Sequence, residues 1–434
     1  MSFSSRFWHA LAVASSMLLG CEAKAPPAPV EPPAPVTLAP APSAPPSPPA
    51  PKGQASKLRV LIAGDVIPHR PMLMKADQIE AALAPLEDFA RAADAFVVNF
   101  EAAVGTPDPS QRLVYRAPAE WLTALRTRGV TAVTGANNHA CDGGSPGLSE
   151  TQRAAHAAGL PLIGVDDEDP WEPRTIASTP DGRRVCAIAW TSIVNSETIC
   201  AKSKDLARAP VRHAGTQQAI RAIQKAKRSC AAVVAIAHAG DEYLPQRPGV
   251  QEMADELAEA GASAVVFHHP HVVSEVRAAS TKDGRSVPVF ASLGNLVSNQ
   301  GESYHAPLPP LPTGERRLVC VNGWTRLGMI ADLSFDFPAE GAPEVAWGYH
   351  LVWVDNEHAV DPTRKVPRIT TRLFSPDKDA PIVDAFMRDK SGPVSVFFDA
   401  RWLGGPMELR DRPVAGLATR HGPRAASVHP RASR

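Results

Sequence analysis

The sequence carries no surplus of charge of either sign: 45 Lys and Arg balance 45 Asp and Glu across 434 residues. The overall basic footprint of a nucleic-acid-binding chain is therefore missing. Cysteine is scarce too, six residues with no CxxC spacing, which argues against a zinc–thiolate site. Past the N-terminus no apolar run reaches the roughly 18 residues of a membrane-crossing helix, so no internal span is expected. No repeat of fixed period is visible. A hydrophobic share of 44% with 21% charged residues is ordinary for a globular chain and excludes disorder throughout. Proline, by contrast, is abundant. There are 44, about twice the usual share, and 13 of them fall between Ala25 and Pro51.

The front of the chain explains that excess. Arg6 precedes a short apolar stretch, Phe7 to Leu19, that is too short to span a bilayer and reads as an export signal. Its end, Leu18-Leu19-Gly20-Cys21, resembles the bacterial lipobox, which implies lipidation at Cys21 and a stable anchor of two or more acyl chains. The segment from Ala25 to Pro51 alternates Ala, Pro, Val and Ser, with Glu31 as its single charge. Prolines fix φ and remove donors, so it is expected to be an extended tether of about 3.1 Å per residue. The organisation expected is a signal over 1–21, a tether over 22–56, a folded body over 57–375, a packed extension over 376–409 and a basic disordered tail over 410–434. The tail has six Arg against one Asp and little apolar pattern. The localisation expected is the cell envelope, lipid-anchored to the membrane, with the body in the periplasm or outside the cell. A pairing such as Cys186 with Cys200 suits that oxidising setting. The five cysteines after Cys21 are an odd number, so at least one thiol stays free.

The body alternates short apolar runs with helical patterns. Runs at 58–63, 95–98, 131–134, 231–237 and 263–267 predict strands; the stretches near 76–92, 119–128, 146–158, 215–228 and 249–260 predict helices. That alternation is the signature of βαβ units and an α/β layered sandwich, a mostly parallel sheet flanked by helices. Two later runs, 328–337 and 345–354, predict added antiparallel strands. Polar residues collect where the first five strands end: Asp65; Asn99 and Glu101; Asn138 and His139; His238; His268, His269 and His271. In open α/β sheets the carboxyl ends of strands line the ligand crevice. Carboxylate, amide and imidazole donors together suit Zn, Mn or Fe, one ion or two, rather than Ca or a thiolate metal. His269-Pro270-His271 sets two imidazoles on one face of extended chain.

These segments resemble the CapA family of poly-γ-glutamate capsule synthesis proteins, itself similar to the calcineurin-like metallophosphoesterases. The resemblance runs from about Leu58 to Val297 through Gly64-Asp65-Val66, Asn99-Phe100-Glu101, Asn137-Asn138-His139 with Asp142-Gly143-Gly144, His238-Ala239-Gly240-Asp241-Glu242-Tyr243, His269-Pro270-His271 and Gly294-Asn295. It implies a metallophosphoesterase-like fold with Asp65, Asn138, His238, His269 and His271 as metal ligands. It implies His139 and Glu101 as catalytic side chains, and Asn99, Glu242, Tyr243 and Asn295 on the substrate side. Three departures stand out. Ile67 lies two residues after Asp65 where the wider superfamily has His, leaving open whether His69 substitutes; Phe267 precedes the His pair; Ala239 follows His238.

Several other groups have plainer readings. Asp142-Gly143-Gly144 also reads as a turn, His268 as structural, and Trp190 and Trp324 as core. His156, His213, His350, His421 and His429 read as surface or core residues. Three functions compete. One is a metal-dependent hydrolase acting on an anionic polymer or a phosphorylated substrate. Another is a non-catalytic lipid-anchored subunit working with other capsule synthesis or export subunits. The third, a solute-binding lipoprotein, is weakened because binding alone does not need so many donors at strand ends.

Overall fold

The computed structural model is an α/β body whose layers follow from side-chain alternation along its strands. It describes residues 55–68, 73, 75–108, 113–195, 204–208, 213–244, 248–304, 320, 322–356, 368–375 and 378–388. The signal, Cys21, the tether before residue 55, His69 and the tail at 410–434 lie outside these.

The strands are β1 (Ser56–Val66), β2 (Ala95–Phe100), β3 (Ala103–Val104), β4 (Arg116–Ala117), β5 (Ala132–Thr134), β6 (Leu162–Ile163), β7 (Arg174–Ser178) and β8 (Arg184–Thr191) in the first half. The second half adds β9 (Ala232–His238), β10 (Ala264–His268), β11 (Val276–Ser280), β12 (Ser286–Phe290), β13 (Asn295–Val297), β14 (Leu327–Phe337), β15 (Glu344–Asn356) and β16 (Ile369–Leu373). They form two principal sheets. One runs β16-β15-β14-β1-β2-β5-β6, with β13 also on β1; the other runs β11-β12-β10-β9-β8-β7. The centre of each is parallel, β1-β2-β5-β6 and β8-β9-β10-β12, while β14, β15, β16, β7 and β11 are antiparallel additions.

Why two sheets form follows from the period-two alternation of strand side chains. Leu58, Val60 and Ile62 of β1 share one apolar cluster with Val234 and Ile236 of β9 and Val266 of β10. Leu61 and Ala63 face the opposite way, into a second cluster. Val233, Ala235, Val265 and Phe267 face a third. Each sheet thus has apolar residues on both faces. The shared faces meet in the middle, and helices cover the outsides. The helices α1 (Ala76–Leu83), α2 (Glu87–Arg91), α3 (Glu120–Thr127) and α4 (Gly144–Ala157) belong with the first sheet, where Trp121, Leu125 and Leu148 are buried. Those on the second sheet are α5 (His213–Ala226) and α6 (Pro248–Ala260), through Ile223, Met253 and Leu257.

The helix expected near 76–92 is interrupted by a 3-10 turn, Ala84–Leu86. Pro85 lacks the N–H that an α-helix would use there. Beyond 375, helix α7 (Ala380–Arg388) docks on the body, its Phe386 edge-on to Trp324 at 4.1 Å between centroids. Burying that phenyl ring contributes roughly 1.5–3 kcal/mol. Of the pairings that the sequence left open, Cys186 with Cys200 is not the one formed. Cys186 bonds Cys230, with Cα atoms 5.9 Å apart, because β8 lies beside β9 and Cys230 sits just before that strand. Cys141 is also disulfide-bonded, and Cys320 is a free thiol. No helix among the described residues is long and apolar enough to cross a membrane.

Candidate metal centre

Three glycines let the backbone close up where β1 ends. A Cβ on Gly64 would lie 1.9 Å from the Gly294 carbonyl oxygen, and one on Gly328 would lie 2.0 Å from that of Asn295. Only glycine allows this approach, which sets Asp65 of β1 beside Asn295 of β13 in register.

Around Asp65 the strand-end residues form a connected set. Asn99 Nδ2 donates to Asp65 Oδ1 at 2.8 Å and lies 3.3 Å from His238 Nδ1. Its Oδ1 accepts from Thr134 Oγ1 and Asn137 Nδ2. On the far side of the ring, His238 Nε2 faces Asn138 Oδ1 at 2.8 Å. His271 Nδ1 is 3.1 Å from both Asp65 Oδ2 and Asn295 Oδ1, so its Nε2 is left facing Glu101 Oε1 at 3.6 Å. Asp65 and Glu101 are fully buried. One donor atom each from Asp65, Glu101 and His271 lies within 4.8 Å of the others, and Glu242, His269 and His271 form a second group of the same spacing.

The backbone is strained to achieve this. Among the described residues the non-glycine positions with positive φ are Tyr243 (64°), His269 (99°) and His271 (58°). Left-handed backbone at non-glycine residues costs about 1–3 kcal/mol each and gathers at functional sites. The charges are arranged to match. Burial pushes Asp65 up, but the hydrogen bond from His271 and the nearby imidazoles outweigh it and hold the carboxyl well below its usual range. Burial, with Asp65 and Glu242 adding to it against the opposing pull of His271, pushes Glu101 well above the usual carboxylate value. Burial and the neighbouring His269 hold His238 well below the usual imidazole value, in the neutral form that metal ligation needs. Burial works against the charge on His271, yet Glu101 and Asp65 raise it to about 9.

Residue by residue, the structure brings Asp65, Glu101, Asn138, His238, His269 and His271 into this one region. Asn99 and Asn295, expected on the substrate side, are buried behind the donors and orient them. Asn295 Nδ2 is itself held by Gln300 Oε1 and Thr325 O. Tyr243 Oη accepts from Gln300 Nε2. His268 turns away to the Ala63 carbonyl at 3.0 Å. His139 stands beside Asn138 with Nδ1 on Asp142 Oδ2 at 2.6 Å and its ring stacked on Tyr115 at 4.0 Å. Asp142 is therefore more than a turn residue: it also accepts from the Tyr115 backbone N–H at 2.6 Å. Asn195, absent from the sequence expectation, links Asn138 Nδ2 and His139 Nε2 at 3.3 and 3.2 Å. Its signal was weak, one polar residue at the start of the polar run Asn195-Ser196-Glu197-Thr198, four positions past the end of β8.

The bacterial capsule synthesis protein PGA_cap family matches residues 59–300, which hold every strand-end donor. The chain belongs to that family. Its relatives include the capsule biosynthesis protein CapA of Bacillus anthracis, 28% identical over 186 residues covering 43% of this chain and 44% of that one. The PGA biosynthesis protein CapA of Bacillus subtilis (strain 168) is 27% identical over 222 residues, 50% of this chain and 56% of the relative. The chain thus spans about half the length of the curated relatives it matches. Among solved structures, the calcineurin-like phosphoesterase YfkN from Bacillus subtilis aligns with 69% of this chain and 91% of its own at 15% identity and TM-score 0.39. GAP50, the anchor in the inner membrane complex of Plasmodium, aligns with 83% and 98% at 10% identity and TM-score 0.32.

Proposed function

We propose that this family member works at the cell envelope in synthesis or export of a poly-γ-glutamate capsule polymer, through a divalent-metal site of hydrolase type. The observation that carries the metal reading is Glu101. Both of its carboxylate oxygens are buried without a hydrogen-bond partner, beside Asp65 and His271 at ligand spacing. A buried carboxyl with both oxygens unpaired is costly, and burial pushes it toward the neutral form; a cation would make the ionised form the favourable one. Asp65, Glu101 and His271 would hold it, with Asn138, His238 and His269 alongside; the mixed donor set fits Mn, Zn or Fe. A bound divalent ion supplies Lewis acidity toward a substrate oxygen. The chain's own residues do the rest. Asp142 holds His139 at Nδ1 and Asn195 lies 3.2 Å from its Nε2, so the ring is oriented from both nitrogens, and it acts on a proton through Nε2 when substrate takes the place of Asn195 there. Tyr115 covers one face of the ring. The substrate class is an anionic polymer or a phosphorylated ester.

Anchoring is part of the same proposal. Leu18-Leu19-Gly20-Cys21 and the proline tether support a lipid anchor, and the disulfide at Cys186–Cys230 suits an oxidising compartment. Cys21→Ala should move the protein from the membrane pellet to the soluble fraction; unchanged retention sinks the anchor. For the site, elemental analysis of the purified full chain should find a divalent metal, and His271→Ala should remove most of it while His350→Ala does not. Turnover of p-nitrophenyl phosphate or poly-γ-glutamate by the metal-loaded protein separates the hydrolase reading from the alternative. Metal without any turnover would favour a non-catalytic subunit of a capsule polymer complex.

A further inference from the structure

One carboxylate outside the strand-end donors stands at ligand spacing from two of them. Ile67, two residues past Asp65, is buried and apolar, so that position offers no ligand. Glu242 lies on another element, the loop after β9, yet brings a carboxylate oxygen within 4.8 Å of donor atoms of His269 and His271.

The loop is fastened to bring it there. Gly240 has φ 125° and Tyr243 φ 64°. The Tyr243 backbone N–H donates to Pro270 O at 2.8 Å, inside the His269-Pro270-His271 turn itself. The Tyr243 side chain then reaches Gln300, and Gln300 reaches Asn295, the residue that holds His271. Glu242 is thus carried by a segment tied to His271 through both backbone and side chains. A residue that only brushes substrate at a rim does not need two ties and a left-handed neighbour.

The structure assigns Glu242 to the metal centre as a ligand, grouped with His269 and His271. The assignment rests on the metal reading above. It also has a consequence for selectivity. A carboxylate where an imidazole could stand makes the set richer in oxygen, which favours Mn relative to Zn.

The test is titration of the metal-stripped full chain with MnCl2 and with ZnCl2, followed by calorimetry, for wild type, Glu242→Gln and Glu242→His. Loss of the carboxylate should weaken binding of both ions by on the order of 10–100-fold. Glu242→His should restore binding and raise the Zn-to-Mn affinity ratio at least about tenfold. If Glu242→Gln binds both ions as wild type does, the assignment is overturned while the metal reading stands. A wild-type chain that takes up neither ion overturns both. Circular dichroism reports whether the Gln variant folds; if it does not, Glu242→His decides, and an unchanged Zn-to-Mn ratio there overturns the assignment.

Discussion

His271 shows at the scale of one residue what the centre requires of its surroundings. Two carboxylates, Glu101 and Asp65, outweigh its burial and keep the imidazole protonated up to about pH 9. A metal ligand must be neutral, so below that pH a cation has to displace a proton. The apparent dissociation constant should therefore fall about tenfold per pH unit toward 9 and flatten above it. Calorimetry in buffers of different ionisation enthalpy should show at least one proton released per ion; pH-independent uptake without proton release contradicts the assignment of His271. The linkage runs the other way for the metal-free fold. The raised value contributes stability that is complete below about 6.5 and is lost as pH climbs through about 9. The donors themselves were legible in the sequence because each ends an apolar run. Among their supports Asn99 and Asn295 were also legible, at strand ends, whereas the residues around His139 were not. Asp142 looks like part of a turn, Tyr115 lies on a short segment before β4, and Asn195 follows β8 by several residues. Only the packed chain shows them converging on His139.

Burial alone did not decide which elements were legible: β15, partly exposed along its length, was expected, whereas β8, buried from Val185 to Thr191, was not. The five expected strands and the five helical regions are found near the expected residues, apart from the break at Pro85. The hairpins β7–β8 and β11–β12 were missed; their outer strands β7 and β11 are short and half-exposed, while β8 and β12 are buried. Yet both carried a turn signal: Thr179-Pro180-Asp181-Gly182-Arg183 and Thr281-Lys282-Asp283-Gly284-Arg285 share a T-x-D-G-R pattern. In each the Thr hydroxyl meets the Asp carboxylate and accepts the Arg backbone N–H at 3.0 Å, and the glycine has φ near 85°. Asp-Gly between strand-like runs is a strong hairpin cue. The junction of β1, β13 and β14 makes a testable claim at this scale. Gly64→Ala would drive a methyl into the Gly294 carbonyl, where neither backbone can yield cheaply. The loss should be about 2–4 kcal/mol in denaturant unfolding, with weaker metal binding because Asp65 is the next residue. A variant as stable as wild type would mean the strands part without penalty.

For the molecule as a whole, the second sheet is tied covalently as well as by its ladder. Cys186 lies in β8 and Cys230 at the entry to β9, so the bridge closes a loop of 44 residues containing α5. Constraining the unfolded chain over that length contributes about 4 kcal/mol in the loop-entropy account, a large part of the stability of a typical domain. The Cys186→Ser, Cys230→Ser double variant should therefore unfold at clearly lower denaturant than wild type under non-reducing conditions. The same comparison reaches the question of location. A chain folded in a reducing compartment lacks this bridge and the one at Cys141, so it should unfold at or below the midpoint of the double variant, whereas the exported chain should not. If protein retained in the cytoplasm and protein recovered from the envelope have the same midpoint, the bridge does not depend on export, and the oxidising-compartment argument loses its physical basis.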